Sequence, residues 1–302
     1  MTDAQEPEHV EASDPAPGHT RGPGRITPGL YLVSVPIGSA RDITLRALDL
    51  LAGADVLAAE DTRSLRRLME IHGLRLHGRP LIAYHDHNGT EARPRLMAAL
   101  SEGKSVVFAP EAGSPLVSDP GFQLVRAAIE AGHPVTAAPG ASAVLPALAL
   151  GALPTDRFCF MGFPPQQGGA RKRFLTEALS IPATLVFYES PKRINRLLEE
   201  ISQAGGSARD CALCRELTKR FEEVVRGTVA EVGAQIADRT LKGEMVLLVG
   251  RATEREGEVD LDAALVAALD GSSLREAVDQ VTRDTGLPRR QVYQRALALN
   301  KE

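Results

Sequence analysis

The feature that most constrains the fold is a regular alternation of short β-branched runs with helical patterns, which begins at Gly29. The runs predict five strands by residue 138, namely Leu30–Ile37, Asp55–Ala59, Pro80–Tyr84, Ser105–Ala109 and Pro134–Ala138. Apolar residues at helical spacing predict helices between them, namely Thr44–Leu51, Ser64–His72, Thr90–Ser101 and Gly121–Ala131. Asp42 stands where it could cap the first of these helices. The alternation is typical of a mostly parallel sheet covered on both faces, so the predicted class is α/β.

A second series of strands follows the Pro139–Gly140 turn. Its candidates are Phe158–Met161, Thr184–Tyr188, Cys211–Arg215, Val224–Gly227 and Glu244–Val249, and together they suggest a second, mixed sheet. A chain of 302 residues also exceeds one ordinary domain core. We therefore expect an N-terminal α/β domain over residues 29–140 and a C-terminal α/β domain over residues 141–250.

The segments outside these two domains differ in composition. Residues 1–28 are rich in Pro, Gly, Ala and acidic residues and contain no apolar run, which predicts a disordered tail and not an export signal. Residues 251–302 begin as a charged linker and continue as two apolar helical stripes around a turn, in a helix–turn–helix-like pattern. Residues 271–302 carry six basic against four acidic side chains. Nucleic-acid binding and simple two-helix packing both fit this extension.

The overall composition limits the classes of partner. The formal net charge is −4, so any contact with RNA must come from local patches. Three cysteines provide no disulfide framework and fit a reducing cytoplasm. The longest weakly polar run, Ala141–Pro154, is too short for a bilayer and is interrupted by Pro146 and Gly151. We expect a cytoplasmic protein without a membrane segment, in which this run forms a buried helix.

Three turns rich in Pro, Gly and small residues follow predicted strands, at Val35–Ser39, Pro110–Pro115 and Pro139–Ala143. Open α/β sheets bind ligands at the carboxyl ends of their strands. Small residues there let backbone N–H groups approach a ligand closely. Three such turns at one edge favour a nucleotide-like cofactor over routine chain reversal. The sequence contains no GxGxxG motif and no phosphate loop with a trailing Lys, so ATP and NAD chemistry have no support.

Polar side chains follow the second predicted strand in the motif Glu60-Asp-Thr-Arg63. One interpretation is helix capping by Asp61 or Thr62, with Arg63 paired to an acid. The other places these groups at the same edge as the small-residue turns, where they would orient a substrate. The sequence leaves both open.

The motif His85-Asp-His-Asn88 closes the third predicted strand. Side chains alternate along a strand, so His85 and His87 are predicted to share a face, where two imidazoles can bind a metal. No further ligand accompanies them at a suitable spacing, and Cys211 and Cys214 are predicted to point to opposite faces of their strand. A metal site is therefore disfavoured, and RNA contact or local hydrogen bonding is preferred.

Two basic motifs follow strands of the second domain, Phe187-Tyr-Glu-Ser-Pro-Lys-Arg193 and Arg215-Glu-Leu-Thr-Lys-Arg220. Charge runs are usually solvated surfaces, but strand ends would place these cations where RNA phosphates can be bound. A further polar turn, Lys242-Gly-Glu-Met-Val246, precedes the last strand.

Seven motifs, taken in chain order, give the sequence a specific likeness. They are Val35-Pro-Ile-Gly38, Ala59-Glu-Asp-Thr-Arg63, His85-Asp-His-Asn88, Ser118-Asp-Pro-Gly121, Phe187-Tyr-Glu-Ser190, Arg215-Glu-Leu-Thr-Lys219 and Gly243-Glu-Met-Val246. Across residues 29–250 the chain resembles the RsmI family of bacterial 16S ribosomal RNA (cytidine-2′-O)-methyltransferases. The resemblance implies a tetrapyrrole-methylase-like fold in which two α/β domains enclose S-adenosylmethionine in a cleft, with a small C-terminal helical unit. It also implies a homodimer and a target cytidine in the decoding centre of the small ribosomal subunit.

Carried over by motif, the resemblance assigns residues to the cofactor. The cofactor set is Pro36, Gly38, Glu111, Ala112, Gly113, Ser114, Pro115, Gly140, Ser142, Ala143, Tyr188, Glu244 and Met245. The candidate RNA contacts follow instead from the charge and position of the residues themselves, and they are Arg63, Lys192, Arg193, Arg215, Lys219, Arg220, Arg289 and Arg290. The family pattern Ser-Asp-Ala-Gly-Thr-Pro is here Pro110-Glu-Ala-Gly-Ser-Pro115. The longer Glu111 and the missing N–H of Pro110 bear on cofactor affinity and not on reaction type.

A ribose hydroxyl is a poor nucleophile at neutral pH, so the reaction requires a proton acceptor. The candidates are Glu60, Asp61, His85, His87 and Glu189, although Glu189 is equally placed to pair with Lys192 or Arg193. Two alternative functions remain. A tetrapyrrole methylase is expected to show Gly-x-Gly-x-Gly-Asp after its first strand, where this chain has Pro-Ile-Gly-Ser-Ala-Arg-Asp. A non-catalytic RNA-binding protein on the same fold is expected not to bind S-adenosylmethionine.

Overall fold

The computed structural model describes residues 26–117, 121–252, 261–270, 272–285 and 289–299. The chain divides into two compact units, one up to Ser142 and the other from Ala143 onwards. Most of the predicted N-terminal tail and of the predicted linker, together with residues 118–120 and the predicted turn at 286–288, lie outside the described residues.

The first unit contains a five-stranded sheet in the order β3-β2-β4-β1-β5. The strands are β1 (Gly29–Val33), β2 (Val56–Ala59), β3 (Leu81–Ala83), β4 (Ser105–Ala109) and β5 (Val135–Ala138), and every pair is parallel. All residues of β2 and β4 are buried, as expected for inner strands of a sheet covered on both faces. The five strands predicted for this part of the chain are confirmed.

Helices α1 (Leu45–Gly53), α2 (Thr62–Ile71), α3 (Gly89–Ser101) and α4 (Phe122–Glu130) cover the sheet. Two apolar clusters form its core, one with α1 and α2 and the other with α3 and α4. The prediction that Asp42 caps α1 is wrong. Asp42 lies in a short 3-10 turn, and the cap is Thr44, whose hydroxyl accepts a hydrogen bond from the Ala47 N–H at 3.1 Å. A cap must directly precede the first helical residue, and Asp42 stands too early.

The second unit contains a five-stranded mixed sheet in the order β6-β7-β10-β8-β9. The strands are β6 (Phe158–Gly162), β7 (Thr184–Glu189), β8 (Asp210–Arg215), β9 (Glu223–Thr228) and β10 (Met245–Val249). The β6–β7 pair is parallel and the other pairs are antiparallel, which confirms the predicted mixed sheet. The last strand in sequence, β10, lies in the middle of the sheet.

Four helices belong to this sheet: α5 (Val144–Gly151), α6 (Gly168–Leu179), α7 (Ile194–Ile201) and α8 (Val229–Ile236). The helix predicted over residues 141–154 is α5, with Val144, Ala147, Leu148 and Gly151 buried. A capping box of Thr228 and Glu231 begins α8. Within the described ranges, no helix combines the length and apolarity needed to cross a membrane.

The C-terminal region adds α9 (Leu261–Leu269), α10 (Leu274–Thr285) and α11 (Arg289–Leu299). Their shared core consists of Leu265, Val278, Val281, Val292 and Ala296. The predicted apolar stripes therefore face one another, and α9 completes the core. Two ion pairs join the helices on the outside, Arg289–Asp279 at 2.7 Å and Arg295–Asp262.

Candidate functional site

The three small-residue turns of the first unit are hydrogen-bonded to one another. Val35 and Gly113 form an antiparallel bridge, with N···O distances of 2.9 and 3.0 Å. The Ser34 hydroxyl donates to the Ser114 hydroxyl at 3.2 Å, and the Ser114 hydroxyl donates to the Ala141 carbonyl at 2.9 Å. The turns predicted to share the carboxyl edge of the sheet thus form one connected structure, which we call the turn cradle (residues 34–39, 110–115 and 139–142).

Two glycines permit this close approach. A Cβ added at Gly140 would lie 2.9 Å from Ser34 Cβ, closer than side-chain atoms normally approach. Gly113 has φ +73°, and a Cβ there would lie 3.3 Å from Ile37 Cγ2. Left-handed backbone without a side-chain penalty is a property of glycine. The two glycines therefore serve the close contact between the turns.

A pocket of about 560 Å³ opens beside the cradle, within the range of small-molecule sites. Residues from the first two turns, Asp61 and residues along the length of α2 line it, among them Pro36, Gly38, Arg63 and Glu111. The Glu60–Arg63 motif therefore lies at the same edge as the small-residue turns, as the second interpretation of that motif requires.

Asp61 is also the cap of α2, so the capping interpretation is confirmed, while orientation of a substrate by this motif stays a prediction. Its Oδ1 accepts from the Arg63 N–H at 2.7 Å and the Ser64 N–H at 3.4 Å, and Arg63 Nη2 pairs with Oδ2 at 2.9 Å. Hydrogen bonds from Arg63 lower the pKa of Asp61 to about 2. A carboxylate held in this way is a weak proton acceptor.

Glu60 supports the altered second turn. Its Oε2 accepts from the Glu111 N–H at 3.0 Å, and its own N–H donates to the Ala109 carbonyl at 3.1 Å. Pro110, between them, is buried and has no N–H to contribute. The backbone of the turn is therefore anchored by Glu60, while the Glu111 side chain is exposed and its charge acts on Arg63.

The prediction that His85 and His87 share a strand face is wrong. Strand β3 ends at Ala83, and the motif forms a turn closed by Asn88, whose side chain accepts from the His85 N–H at 2.8 Å and donates to the Ala83 carbonyl at 2.9 Å. Such side-chain bonds compete with strand pairing. The rings still meet edge-to-face with centroids 6.1 Å apart.

The two histidines have different surroundings. His87 is exposed, whereas His85 Nδ1 is buried and has no hydrogen-bond partner in the part of the chain that the structure describes. A buried polar atom without a partner is unfavourable unless something else bonds to it. Among the described residues, no group of three or more His, Cys, Asp and Glu side chains is arranged for a metal ion.

In the second unit, two motif strands end on either side of the start of a third. Met245, at the start of β10, pairs with Glu189 at the end of β7 on one side and with Arg215 at the end of β8 on the other. Tyr188, next to Glu189, packs edge-to-face against Phe160 and Phe163, with ring centroids 4.9 and 5.6 Å apart. One edge of this sheet thus brings together Tyr188 and Met245, which the resemblance assigns to the cofactor, and Arg215, which is a predicted RNA contact.

Glu189 belongs to a buried ion-pair network. It is 2% exposed, and its carboxylate accepts from Arg171 at 3.1 and 3.2 Å, from Arg193 at 2.7 Å and from the Ser190 N–H at 2.8 Å. Arg171, 1% exposed, also pairs with Glu200. These contacts favour the ion-pair role of Glu189 over that of a proton acceptor. Sequence reasoning missed Arg171, because it stands in a charged run, Gly168–Arg173, that looks like a solvated helix.

Several of the predicted RNA-binding cations already have partners within the protein. Lys219 pairs with Glu216 at 2.9 Å and with Glu244 at 3.1 Å, and Arg215 pairs with Glu223 at 3.0 Å. Arg193 and Arg289 are paired as described above. Lys192, Arg220 and Arg290 are exposed and make no ion pair with any described residue. The predicted set therefore separates into structural cations and cations that face solvent.

Comparison with known proteins defines the class. The family described as Tetrapyrrole (Corrin/Porphyrin) Methylases matches residues 29–233, and the RsmI C-terminal HTH domain matches residues 255–300. A diphthine synthase structure has a TM-score of 0.57 at 18% identity, covering 74% of this chain and 90% of that chain. Uroporphyrin-III C-methyl transferase from Thermus thermophilus, complexed with S-adenosyl homocysteine, has a TM-score of 0.52 at 21% identity, covering 74% and 97%. The fold is that of the tetrapyrrole methylases, as predicted.

Two relatives place the chain more closely. Ribosomal RNA small subunit methyltransferase I of Mesorhizobium japonicum is 44% identical, covering 93% of this chain and 96% of the relative. The protein of the same name from Escherichia coli O157:H7 is 38% identical, covering 89% and 94%. The chain belongs to the ribosomal RNA small subunit methyltransferase I family, which confirms the family and the enzyme class inferred from its motifs.

Proposed function

We propose that this chain transfers a methyl group from S-adenosylmethionine to the ribose 2′-hydroxyl of a cytidine in the decoding centre of 16S ribosomal RNA, acting as a cytoplasmic homodimer. Its family membership supports methylation of small-subunit RNA, and its motifs resemble those of cytidine-2′-O-methyltransferases. The observation that carries the proposal is the turn cradle, in which Ser34, Ser114 and Ala141 join three strand ends beside a pocket.

The cradle fits the proposed cofactor. At Gly113 and Gly140 the turns lie so close together that an added Cβ would collide with or crowd the neighbouring turn. Nucleoside-containing cofactors bind to backbone groups at the ends of strands. The residues proposed to hold the cofactor in the first unit are Pro36, Gly38, Glu111, Ala112, Gly113, Ser114, Pro115, Gly140 and Ser142. Ala143, Tyr188, Glu244 and Met245 are the residues proposed from the second unit. The bound cofactor supplies a methyl group on a sulfonium, and transfer requires that the ribose oxygen be held in line with it.

Of the candidate proton acceptors, His85 is the best supported. Asp61 is held by a helix end and by Arg63, Glu60 by the Glu111 N–H, and Glu189 by two arginines. His85 Nδ1 has no hydrogen-bond partner among the described residues, so its bonding capacity is not used by another group, as that of the three carboxylates is. Histidine is also the commonest general base in enzymes.

Substitution of the two neighbouring histidines tests this assignment. Loss of a general base typically lowers the rate by about 10²- to 10⁴-fold. We expect His85→Ala to lower kcat on small subunits by about 100-fold or more while S-adenosylhomocysteine binding is retained, and His87→Ala to stay within about threefold of the wild type. Equal losses in the two variants would reject His85 as the acceptor.

The main experiment is methyl transfer from labelled S-adenosylmethionine to small ribosomal subunits that lack the modification, with the labelled nucleotide mapped by resistance to alkaline cleavage. Label at a cleavage-resistant cytidine supports the proposal. Cofactor binding without transfer to RNA would instead favour a small-molecule methylase, and absence of cofactor binding would favour a non-catalytic RNA-binding protein.

A further inference from the structure

The loop between β8 and β9 presents an aromatic ring to solvent. Phe221 is 62% exposed, although burial of a phenylalanine ring is normally favourable. The guanidinium of its neighbour Arg220 lies 5.5 Å from the ring centroid, in a cation–π contact. Neither the cofactor assignment nor the proton transfer uses this ring.

The loop is firmly braced. Leu217 is buried, and Glu216 and Thr218 hold left-handed backbone with φ of 51° and 64°, which is unfavourable for non-glycine residues. The Glu216 carboxylate accepts from the Glu244 N–H at 3.0 Å and from Lys219 at 2.9 Å. The Thr218 N–H donates to the Glu222 carboxylate at 2.6 Å. Phe221 is therefore held out by a fixed loop.

The charged side chains of the loop differ in whether they bond within the protein or face solvent. The carboxylates of Glu216 and Glu222 are used within the loop, and Lys219 bonds inward to Glu216 and Glu244. Arg220 makes no ion pair with a described residue, and its described contact is the Phe221 ring. The outer surface of the loop is thus a flat apolar ring beside an unneutralised cation, which suits a partner that is both aromatic and anionic.

We propose that Phe221 and Arg220 form a platform on which an unpaired base of the RNA substrate stacks. Arg220 also binds the phosphate of that nucleotide. Unpaired bases are commonly recognised by stacking on aromatic side chains and arginine planes, irrespective of sequence. The inference rests on the proposed function, since it assigns a binding contact for the same RNA. It gives the loop a role in holding the strand near the target and not in the chemical step.

The test compares four variants of the full chain. Phe221→Ala removes the ring, Phe221→Leu keeps an apolar side chain without a π face, and Phe221→Trp restores a larger face. Phe122→Ala is the matched control, because Phe122 is 61% exposed and lies on α4 of the first unit. For each variant, the Kd for labelled small subunits, the KM and kcat for methyl transfer, S-adenosylhomocysteine binding and the molar mass in solution are measured.

We expect Phe221→Ala and Phe221→Leu to raise both the Kd and the KM for small subunits about tenfold, with unchanged S-adenosylhomocysteine binding and unchanged molar mass. Phe221→Trp is expected to match the wild type, and Phe122→Ala to change the Kd less than about twofold. Wild-type affinity in Phe221→Leu, or equal effects of Phe221→Ala and Phe122→Ala, would overturn the stacking platform. A lower molar mass of Phe221→Ala would show that the ring contacts a second copy of the chain instead. Binding is measured apart from methyl transfer, so failure of the proposed reaction is distinguishable from failure of the platform.

Discussion

The Ser114 hydroxyl donates a hydrogen bond to the Ala141 carbonyl at 2.9 Å, while it accepts one from the Ser34 hydroxyl at 3.2 Å. These three residues follow β4, β5 and β1, which are neighbours in the sheet although β2 and β3 separate β1 from β4 in sequence. One hydroxyl group therefore sets the spacing of three strand ends, and the conformation of the turn cradle depends on it.

We expect Ser114→Ala to weaken S-adenosylhomocysteine binding about three- to tenfold and to lower the free energy of unfolding by about 0.5–1.5 kcal/mol, since two hydrogen bonds are lost at the cradle. Ser114→Thr is the matched control, because it keeps the hydroxyl and restores the residue of the family pattern. Calorimetric titration and urea unfolding measure the two quantities. Identical binding by the alanine and threonine variants would show that the hydroxyl does not shape the site.

The buried Arg171–Glu189 pair is expected to be costly to break. Arg171→Met leaves the Glu189 carboxylate in an apolar interior with only Arg193 beside it, and removing one partner of a buried pair typically costs about 3–5 kcal/mol. Arg126→Met is the control, because the Arg126–Glu130 pair on α4 is 62% exposed at both side chains. Its expected cost is below about 1 kcal/mol. Urea unfolding of both variants measures the difference, and similar losses would contradict a structural role for the buried network.

The stability contributed by Asp61 is expected to depend on pH in a defined window. Arg63 holds the pKa of Asp61 at about 2 in the folded chain, below the ordinary value of 3.8. A lowered pKa means that the folded state favours the carboxylate, so the contribution is full above pH 3.8 and is lost as the pH falls towards 2. The stability advantage of the wild type over Asp61→Asn should therefore shrink across this window. Urea unfolding at several pH values tests this, and a constant difference would refute it.

The three cysteines are expected to differ in thiol reactivity. Burial raises the pKa of Cys211 to about 12 and that of Cys214 to about 11, so neither forms the reactive thiolate near neutral pH. Cys159 is only partly buried. Iodoacetamide at pH 8 should label the folded chain at Cys159 alone, and Cys159→Ser should leave it unlabelled until urea exposes the remaining thiols. Mass spectrometry of the digested protein identifies the labelled positions.

Strand and helix positions could be predicted from sequence because the local patterns agree with the fold. The end of β1 could not be predicted in this way. The apolar run suggested a strand to Ile37, but Val35 leaves the sheet and pairs with Gly113, a contact 78 positions away that local periodicity does not encode. The order of the strands and the middle position of β10 are likewise set by long-range pairing.

In the candidate site too, some features could be predicted from local sequence and others could not. Pro, Gly and Ser at strand ends predicted the three turns, since those residues act locally on the backbone. The burial of Arg171 and Glu189 depends on helix α6 packing against β7 and α7. The sequence around these two residues does not indicate that they are buried. The turn at His85–Asn88 was mistaken for strand because the competing signal is a side-chain hydrogen bond of Asn88, which alternation of polar and apolar residues does not reveal.

The middle position of β10 orders events during synthesis of the chain. The first sheet has all five of its strands once Ala138 has left the ribosome, and the first unit can fold while translation continues. In the second sheet, β7 and β8 are joined only through β10, so one edge of each strand stays unpaired until Val249 emerges. The 55 residues between Glu189 and Met245 must therefore be synthesised before the second sheet can close, and until then its open strand edges are exposed to aggregation and to proteases.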